Sequence, residues 1–356
     1  MSRTSTSRAI SEDSGTHGAE PGAWPVGDGV HRIPLPLPGD GLRAVNVYAL
    51  ETGTGLTLVD GGWSIPEARE LLEQALASIG HGFGDIRRFL VTHVHRDHYT
   101  LASVIAREVG AEVSLGIGDK PTLDLMHAPS PTMGGSAALL RSAGAGELAE
   151  RWERPTSSPT LDLTHWSYPD HWLEGDHDID LGSRTLAAVH TPGHTQGHVV
   201  FADRAAGLLF AGDHVLPTIT PSIGFEPVPV RQPLRDFMSS LVKVRSMPDR
   251  RLLPAHGPVA DSTHARIDEL LAHHEERLRL CEAALPTGAG PGATSYAVAG
   301  ALPWTRHATA LADLDVFNAA LATMETKAHL ELLVARGRAT REETEDGVVF
   351  GAVVDS

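Results

Sequence analysis

Four side chains that can bind a metal are concentrated in residues 91–98: His93, His95, Asp97 and His98. The apolar run before them predicts a strand, and residues 99–109 predict a helix. Because alternate residues of an extended chain point to the same side, His93 and His95 should face together. Asp97 and His98 should then turn inward from the start of the helix. Imidazoles beside a carboxylate favour zinc, or a divalent metal more generally.

Composition limits the classes of function. A chain of 356 residues holds one large domain with an appendage, or two domains. The net charge of −16 opposes nucleic-acid binding. A single cysteine, Cys281, excludes an internal disulfide and favours a reducing compartment. No apolar run reaches membrane-spanning length, and none follows Arg3 and Arg8 as in a secretory signal. We therefore expect a cytoplasmic protein.

Residues 93–98 match the HxHxDH signature of the metallo-β-lactamase superfamily, and the chain resembles a member of it. Four more segments resemble motifs of that superfamily in the expected order: Leu58-Val59-Asp60-Gly61-Gly62, Thr191-Pro192-Gly193-His194, Ala211-Gly212-Asp213 and Pro254-Ala255-His256-Gly257. The matching segments extend over about residues 29–260.

The resemblance implies a two-metal site with seven ligands. Its first metal would be held by His93, His95 and His194, its second by Asp97, His98 and His256, and Asp213 would bridge the two. We expect two zinc ions per chain. Iron is the alternative, because superfamily members that perform oxygen chemistry keep a similar ligand set. Three neutral imidazoles also leave a fourth tetrahedral position open for water, which is the pattern of a catalytic zinc site.

Such a site predicts hydrolysis by metal-bound hydroxide. Two metal ions about 3.5–4 Å apart share a water and lower its pKa towards neutrality. The hydroxide would attack a carbonyl carbon or a phosphorus atom. Asp97 is the predicted catalytic residue, since it could orient the nucleophile or pass its proton to the leaving group.

Other polar residues near the motifs are predicted to have supporting roles. His198 and His214 are expected to contact ligands or face the pocket rather than bind metal. Asp60 is expected to support the histidine turn. His273 and His274 are predicted to be solvated on a polar helix. The histidines of the region after residue 117 are expected at the surface or in a lid: His127, His165, His171 and His177.

The resemblance implies an α/β fold, the αββα sandwich of the metallo-β-lactamase superfamily. We expect a disordered segment at 1–23, a catalytic domain at 24–262 and a winged-helix-like C-terminal domain at 263–356. The tail is similar to that of the lactamase-β-like protein 2 group. It carries eight basic and fourteen acidic residues, which opposes DNA binding.

The insert at about 117–176 is rich in large apolar side chains, and residues 137–152 predict one helix. Two interpretations stay open: a lid over the substrate, or packing of the insert onto the domain. The side chains concerned are Met126, Met133, Trp152, Trp166, Tyr168 and Trp172.

These observations favour hydrolysis of an ester, thioester or lactone. The expected partner is a small acyl compound, not a nucleic acid or a membrane. A second copy of the chain, in a homodimer, is a further candidate partner. An endoribonuclease of the lactamase-β-like protein 2 type is the first alternative, although the acidic charge opposes it. An iron-dependent, oxygen-using protein is the second.

Overall fold

The computed structural model describes residues 19–39, 41–128, 134–154, 162–287, 291–305, 307–345 and 347–353. Most of the predicted disordered segment, and Met133, lie outside these ranges. The chain divides into two compact units. Unit one comprises the described residues of Met1–His127, Asp162–Pro221 and Ser240–Glu269, and unit two those of Ala128–Leu161, Ser222–Ser239 and Leu270–Ser356. The predicted domain boundaries at 24 and 262 stay predictions.

Unit one contains a seven-stranded sheet whose strands lie in chain order. They are β1 (Trp24–Gly27), β2 (Val30–Pro36), β3 (Ala44–Thr52), β4 (Gly55–Val59), β5 (Ile86–Leu90), β6 (Glu112–Gly116) and β7 (His171–Leu173). Strands β1 to β4 are antiparallel, and β4 to β7 are parallel. Parallel neighbours require crossover connections. Helices α1 (Pro66–Ser78) and α2 (Arg96–Val109) supply two of them.

A five-stranded sheet in unit one has the order β12-β11-β10-β9-β8. Its strands are β8 (His177–Asp180), β9 (Thr185–His190), β10 (Val199–Asp203), β11 (Leu208–Gly212) and β12 (Arg251–Pro254). Strands β8 to β11 are antiparallel, whereas β11 and β12 are parallel. As a result β11 and β12, which precede Asp213 and His256, end at the same edge.

Two apolar layers hold unit one together. One lies between the sheets, where Tyr48 and Leu50 of β3 share a buried cluster with Phe201 and Phe210. The other covers the opposite face of the larger sheet with residues of α1 and α2, such as Leu72. Burial of apolar surface is the main favourable term in folding. Helices and face-to-face sheets are the predicted layers of the αββα sandwich, and the fold class is confirmed.

The insert does not form the single helix predicted at 137–152. Its helices are α3 (Lys120–Met126), α4 (Gly134–Ser142) and α5 (Gly146–Glu153). Gly144 has φ of 79°, a left-handed conformation that ends α4 and that glycine adopts without steric penalty.

The large side chains of the insert fall into separate packing environments. Met126 and Trp166 are buried in the core beneath the larger sheet, so packing explains them. Trp152 contacts Phe225 and Phe317 within unit two. A lid role for the remaining side chains stays a prediction.

Unit two contains most of the C-terminal part. Helices α6 (Pro233–Arg245) and α7 (Thr263–Ala283) contribute residues to both units. They are followed by β13 (Ala293–Thr294), α8 (Ser295–Gly300), α9 (Val316–Ala335), β14 (Ala339–Thr344) and β15 (Gly347–Ala352). The strands form an antiparallel sheet of order β13-β15-β14. The predicted C-terminal helical tail is confirmed, and its winged-helix character stays a prediction.

Candidate metal centre

All seven predicted ligands converge in unit one as two adjacent groups. Within each group, one possible ligand atom per residue lies within 4.8 Å of the others. The groups are His93, His95, His194 and Asp213, and then Asp97, His98 and His256. They come from the β5–α2 turn, the β9–β10 loop and the ends of β11 and β12. Side chains far apart in the sequence therefore meet because these loops share one edge of the sandwich.

Asp213, a member of the first group, also reaches the second group. Its Oδ2 is 3.4 Å from His194 Nε2. Its Oδ1 is 3.3 Å from His256 Nε2 and 3.7 Å from His98 Nε2. One carboxylate thus reaches imidazoles of both groups, which is the position that a bridging ligand requires.

The first group brings three imidazoles together at short range. His95 Nδ1 is 2.9 Å from His93 Nε2 and 3.0 Å from His194 Nε2. Burial and the neighbouring imidazole of His194 lower the pKa of His95 to about 3. Burial also holds the pKa of His93 well below its ordinary value. Both rings are therefore neutral at pH 7, as metal ligation requires.

The second group has its outer nitrogens fixed by hydrogen bonds. His256 Nδ1 donates to the carbonyl oxygen of Ala44 at 2.9 Å, since a carbonyl only accepts. His98 Nδ1 lies 2.9 Å from Asp60 Oδ2 and donates to that carboxylate. His98 Nε2, which faces the cluster, is buried without a hydrogen-bond partner in the described part of the chain. Both rings present Nε2 to the centre, the arrangement usual for metal-binding histidines.

The carboxylates of the cluster favour a bound cation. Burial opposes protonation of His98, but Asp97, Asp60 and Asp213 outweigh it and raise its pKa to about 10. Burial also opposes ionisation of Asp213, yet His256 and His98 hold the pKa of Asp213 well below its ordinary value. A divalent ion would replace the proton on His98 and supply the balancing charge. The imidazoles and carboxylates of the cluster are therefore suitable ligands for a divalent metal ion.

Asp60 supports the histidine turn, as predicted. Its Oδ1 accepts from the backbone N–H of Thr92 at 2.8 Å, while its Oδ2 accepts from His98. Asp60 has φ of 62°, a conformation that few residues other than glycine adopt. Its two buried contacts support the turn that carries the candidate ligands. Asp60 itself belongs to neither ligand group.

Asp119 is a supporting residue that the sequence motifs do not predict. Its fully buried carboxylate accepts from Val94 N and Gly197 N, each at 2.8 Å, and from Thr195 Oγ1 at 3.2 Å. It therefore ties the turn that carries His93 and His95 to the loop that carries His194. The only signal in the sequence is its position just after an apolar strand.

His198 and His214 are buried beside the cluster and belong to neither ligand group. His198 Nε2 accepts from the backbone N–H of Asp213 at 3.2 Å, and its Nδ1 contacts Thr191 Oγ1 at 2.9 Å. His198 thus contacts Asp213, one of the candidate ligands, in agreement with its predicted role. The ring centroid of His214 is 5.9 Å from that of His198.

Comparison with known proteins agrees with the fold. Residues 40–256 match the profile of the metallo-beta-lactamase superfamily, which is more than half of the chain. The chain belongs to this superfamily. Together, the family and the candidate metal cluster define a metallo-beta-lactamase superfamily hydrolase.

Two relatives illustrate the range of similar proteins. A beta-lactamase-like protein 2 homolog of Caenorhabditis elegans is 27% identical over 256 residues, covering 71% of this chain and 70% of that protein. An atrochrysone carboxyl ACP thioesterase of Aspergillus novofumigatus is 26% identical, covering 70% of this chain and 62% of that protein.

Solved structures extend the similarity over most of the chain. A metallo-beta-lactamase family protein from Thermus thermophilus has a TM-score of 0.74 at 27% identity, covering 91% of this chain and 99% of that one. A beta-lactamase domain protein from Burkholderia ambifaria has a TM-score of 0.73 at 27% identity, covering 93% of each chain. In the described residues, no helix combines the length and the apolar character needed to span a bilayer.

Proposed function

We propose that the chain is a dinuclear zinc hydrolase that cleaves an ester, thioester or lactone of a small acyl compound. The observation that carries the proposal is the convergence of five imidazoles and two carboxylates on one buried cluster. One relative is named as a thioesterase, and this supports an acyl bond as the bond that the chain cleaves.

The donor set favours zinc. Imidazole nitrogen and carboxylate oxygen are usual zinc ligands, and no thiolate belongs to either group of the described site. When bound, a pair of such ions supplies Lewis acidity that lowers the pKa of water and polarises a carbonyl. Iron stays the alternative metal, and metal analysis of the purified protein separates the two.

Asp97 is the proposed catalytic residue. Its Oδ2 is 3.5 Å from both His98 Nε2 and His256 Nε2, so the carboxylate lies beside the second group of candidate ligands. Its side chain is 17% exposed, more than those of its two neighbours. The carboxylate oxygen that does not bind metal can therefore accept a proton and return it to a leaving group.

The charge of the chain favours a small acyl compound over RNA. A net charge of −16 is unfavourable for binding the phosphate backbone of RNA. Endoribonuclease activity is the second candidate function. The similarity to a beta-lactamase-like protein 2 homolog is the reason to test it. A cytoplasmic location and a homodimer are further proposals, tested by cell fractionation and by light scattering of the purified chain.

The test is turnover by the zinc-loaded full chain on acyl-CoA and acyl-carrier thioesters, lactones, aryl esters and single-stranded RNA. We expect hydrolysis of at least one acyl class and none of RNA. Asp97→Asn should reduce the rate, while His171→Ala, at an exposed histidine outside the centre, should not. Activity on RNA with none on the acyl compounds would contradict the proposal and favour endoribonuclease activity.

A further inference from the structure

A second group of possible metal ligands lies in unit two. His273 and His274 of α7 and Glu325 of α9 each offer one ligand atom, and these atoms lie within 4.8 Å of one another. The prediction that both histidines are solvated is wrong for His274, whose exposed fraction is 0%. His273 is exposed, and Glu325 is partly exposed.

A chain of hydrogen bonds fixes the protons of the buried rings. His329 Nδ1 lies 2.7 Å from the carbonyl oxygen of Glu325, which only accepts, so His329 Nδ1 carries the hydrogen. Since burial lowers the pKa of His329 to about 3, its Nε2 carries a lone pair. That lone pair accepts from His274 Nδ1 at 3.3 Å. His274 Nε2 is then left as an acceptor.

His274 Nε2 has no hydrogen-bond partner in the described residues, although it is buried. Buried polar atoms are nearly always satisfied, and an exception requires an explanation. A neutral imidazole with its outer nitrogen already engaged is the usual form of a histidine that binds metal. This orientation resembles that of His256 in the first centre, which also has its outer nitrogen engaged, on a backbone carbonyl.

We propose that His273, His274 and Glu325 form a second metal site, separate from the hydrolytic centre, that binds a divalent transition metal ion such as zinc. Two imidazoles and a glutamate match the three-ligand sets that hold zinc and leave one position open. The site joins α7 to α9, so an ion there would cross-link two long helices of unit two. Exposed His273 provides the route of entry.

Two features set the affinity of this site. Zinc–ligand distances of about 2.0–2.2 Å place tetrahedral donors roughly 3.4 Å apart, and the three ligand atoms here lie within 4.8 Å of one another. Arg277 is the nearby cation: its Nη1 donates to the Pro303 carbonyl at 2.9 Å, and its guanidinium lies 4.2 Å from the ring centroid of Trp304. Its charge opposes a bound cation, and we expect weaker binding than in the hydrolytic centre.

The test compares metal stoichiometry in the full chain. Chelator-treated protein is titrated with Zn²⁺ against a chromophoric competitor, for the unmodified chain, His273→Ala, Glu325→Gln and the control His171→Ala. We expect each of the first two variants to bind one equivalent fewer than the unmodified chain and the control. Equal stoichiometry in all four proteins would overturn the proposal.

Two further variants separate this site from the hydrolytic centre. Asp213→Ala should keep the equivalent of zinc that His273→Ala loses, because Asp213 does not belong to the second site. His329→Ala should weaken that same equivalent about 10–100-fold by releasing the His274 ring. Crystals soaked in zinc should show anomalous scattering between His274 and Glu325, and scattering only at the first centre would contradict the assignment.

Discussion

At the level of single side chains, the candidate centre depends on hydrogen bonds made by atoms that face away from it. His98 is oriented by Asp60, His256 by the Ala44 carbonyl, and Asp213 through His198. The first two contacts point Nε2 of both rings towards one place, and the third fixes the main chain of Asp213. Partners of this kind usually matter nearly as much as the ligands.

Asp213 and His198 should differ sharply when each is replaced by alanine. Asp213→Ala removes the carboxylate that reaches both groups, so we expect loss of at least one metal and a fall in activity by orders of magnitude. His198→Ala removes only a supporting contact and should keep both metals with a smaller loss of rate. Metal analysis and turnover measure both effects. Full activity and full metal content in Asp213→Ala would contradict the ligand assignment.

Asp119 should make stability depend on pH. Burial raises its pKa to about 6, above the ordinary value of 3.8. The folded chain then holds this proton at pH values where the unfolded chain has lost it, so the contribution to stability falls as pH rises from 3.8 to 6. Two pKa units correspond to roughly 3 kcal/mol.

Asp119→Asn, which does not titrate, isolates this effect. The free energy of unfolding of the unmodified chain minus that of the variant should decrease between about pH 4 and pH 6.5 in chelator-treated protein. Denaturant titrations at several pH values measure it. A difference that stays constant over this range would show that Asp119 has an ordinary pKa.

At the level of elements, the centre requires a close approach between the end of β6 and the loop after β9. A Cβ on Gly116 would lie 1.8 Å from the carbonyl oxygen of Gly197, and one on Gly118 would lie 2.2 Å from that of Gln196. Only glycine permits this contact, which holds Asp119 against the loop that carries His194.

Gly116→Ala should therefore both destabilise the chain and weaken metal binding. Overpacking typically costs about 1–3 kcal/mol, and the atom that the new Cβ would meet belongs to the backbone, which cannot rotate away. Gly84→Ala is the matched control, because its Cβ would meet nothing within 4 Å. Denaturant midpoints and zinc titration measure the two effects. Equal denaturant midpoints and equal zinc binding in the two variants would show that the centre does not require the close approach.

How far the sequence predicts this molecule depends on how local each signal is. The ligands from His93 to His98 are predictable because strand, turn and helix follow directly in the sequence, and the later ligands are found through the family motifs. Asp119 was missed because its partners, Val94 and Gly197, are distant in sequence and are contacted through backbone atoms. The buried state of His274 was missed because its cover comes from Phe237 and His329, on other helices.

At the level of the whole molecule, metal binding and folding should be coupled. The seven groups are acids and imidazoles held close together, and an ion that binds only the folded chain stabilises it by mass action. A free concentration of zinc about 100 times the dissociation constant gives about 2.7 kcal/mol for one site.

Chelation should therefore lower the melting temperature of the unmodified chain, and zinc should restore it. Asp213→Ala should show a smaller difference between the two conditions. Calorimetry with and without chelator measures both. A melting temperature that does not change with zinc would indicate that the cluster holds no ion in the folded chain.

The most direct test of the two-metal centre is anomalous scattering at the zinc absorption edge from crystals of the zinc-loaded chain. We expect two peaks about 3.5–4 Å apart, one surrounded by His93, His95 and His194 and the other by Asp97, His98 and His256, with Asp213 between them. Ordered protein with no peak among these side chains would contradict the proposed centre.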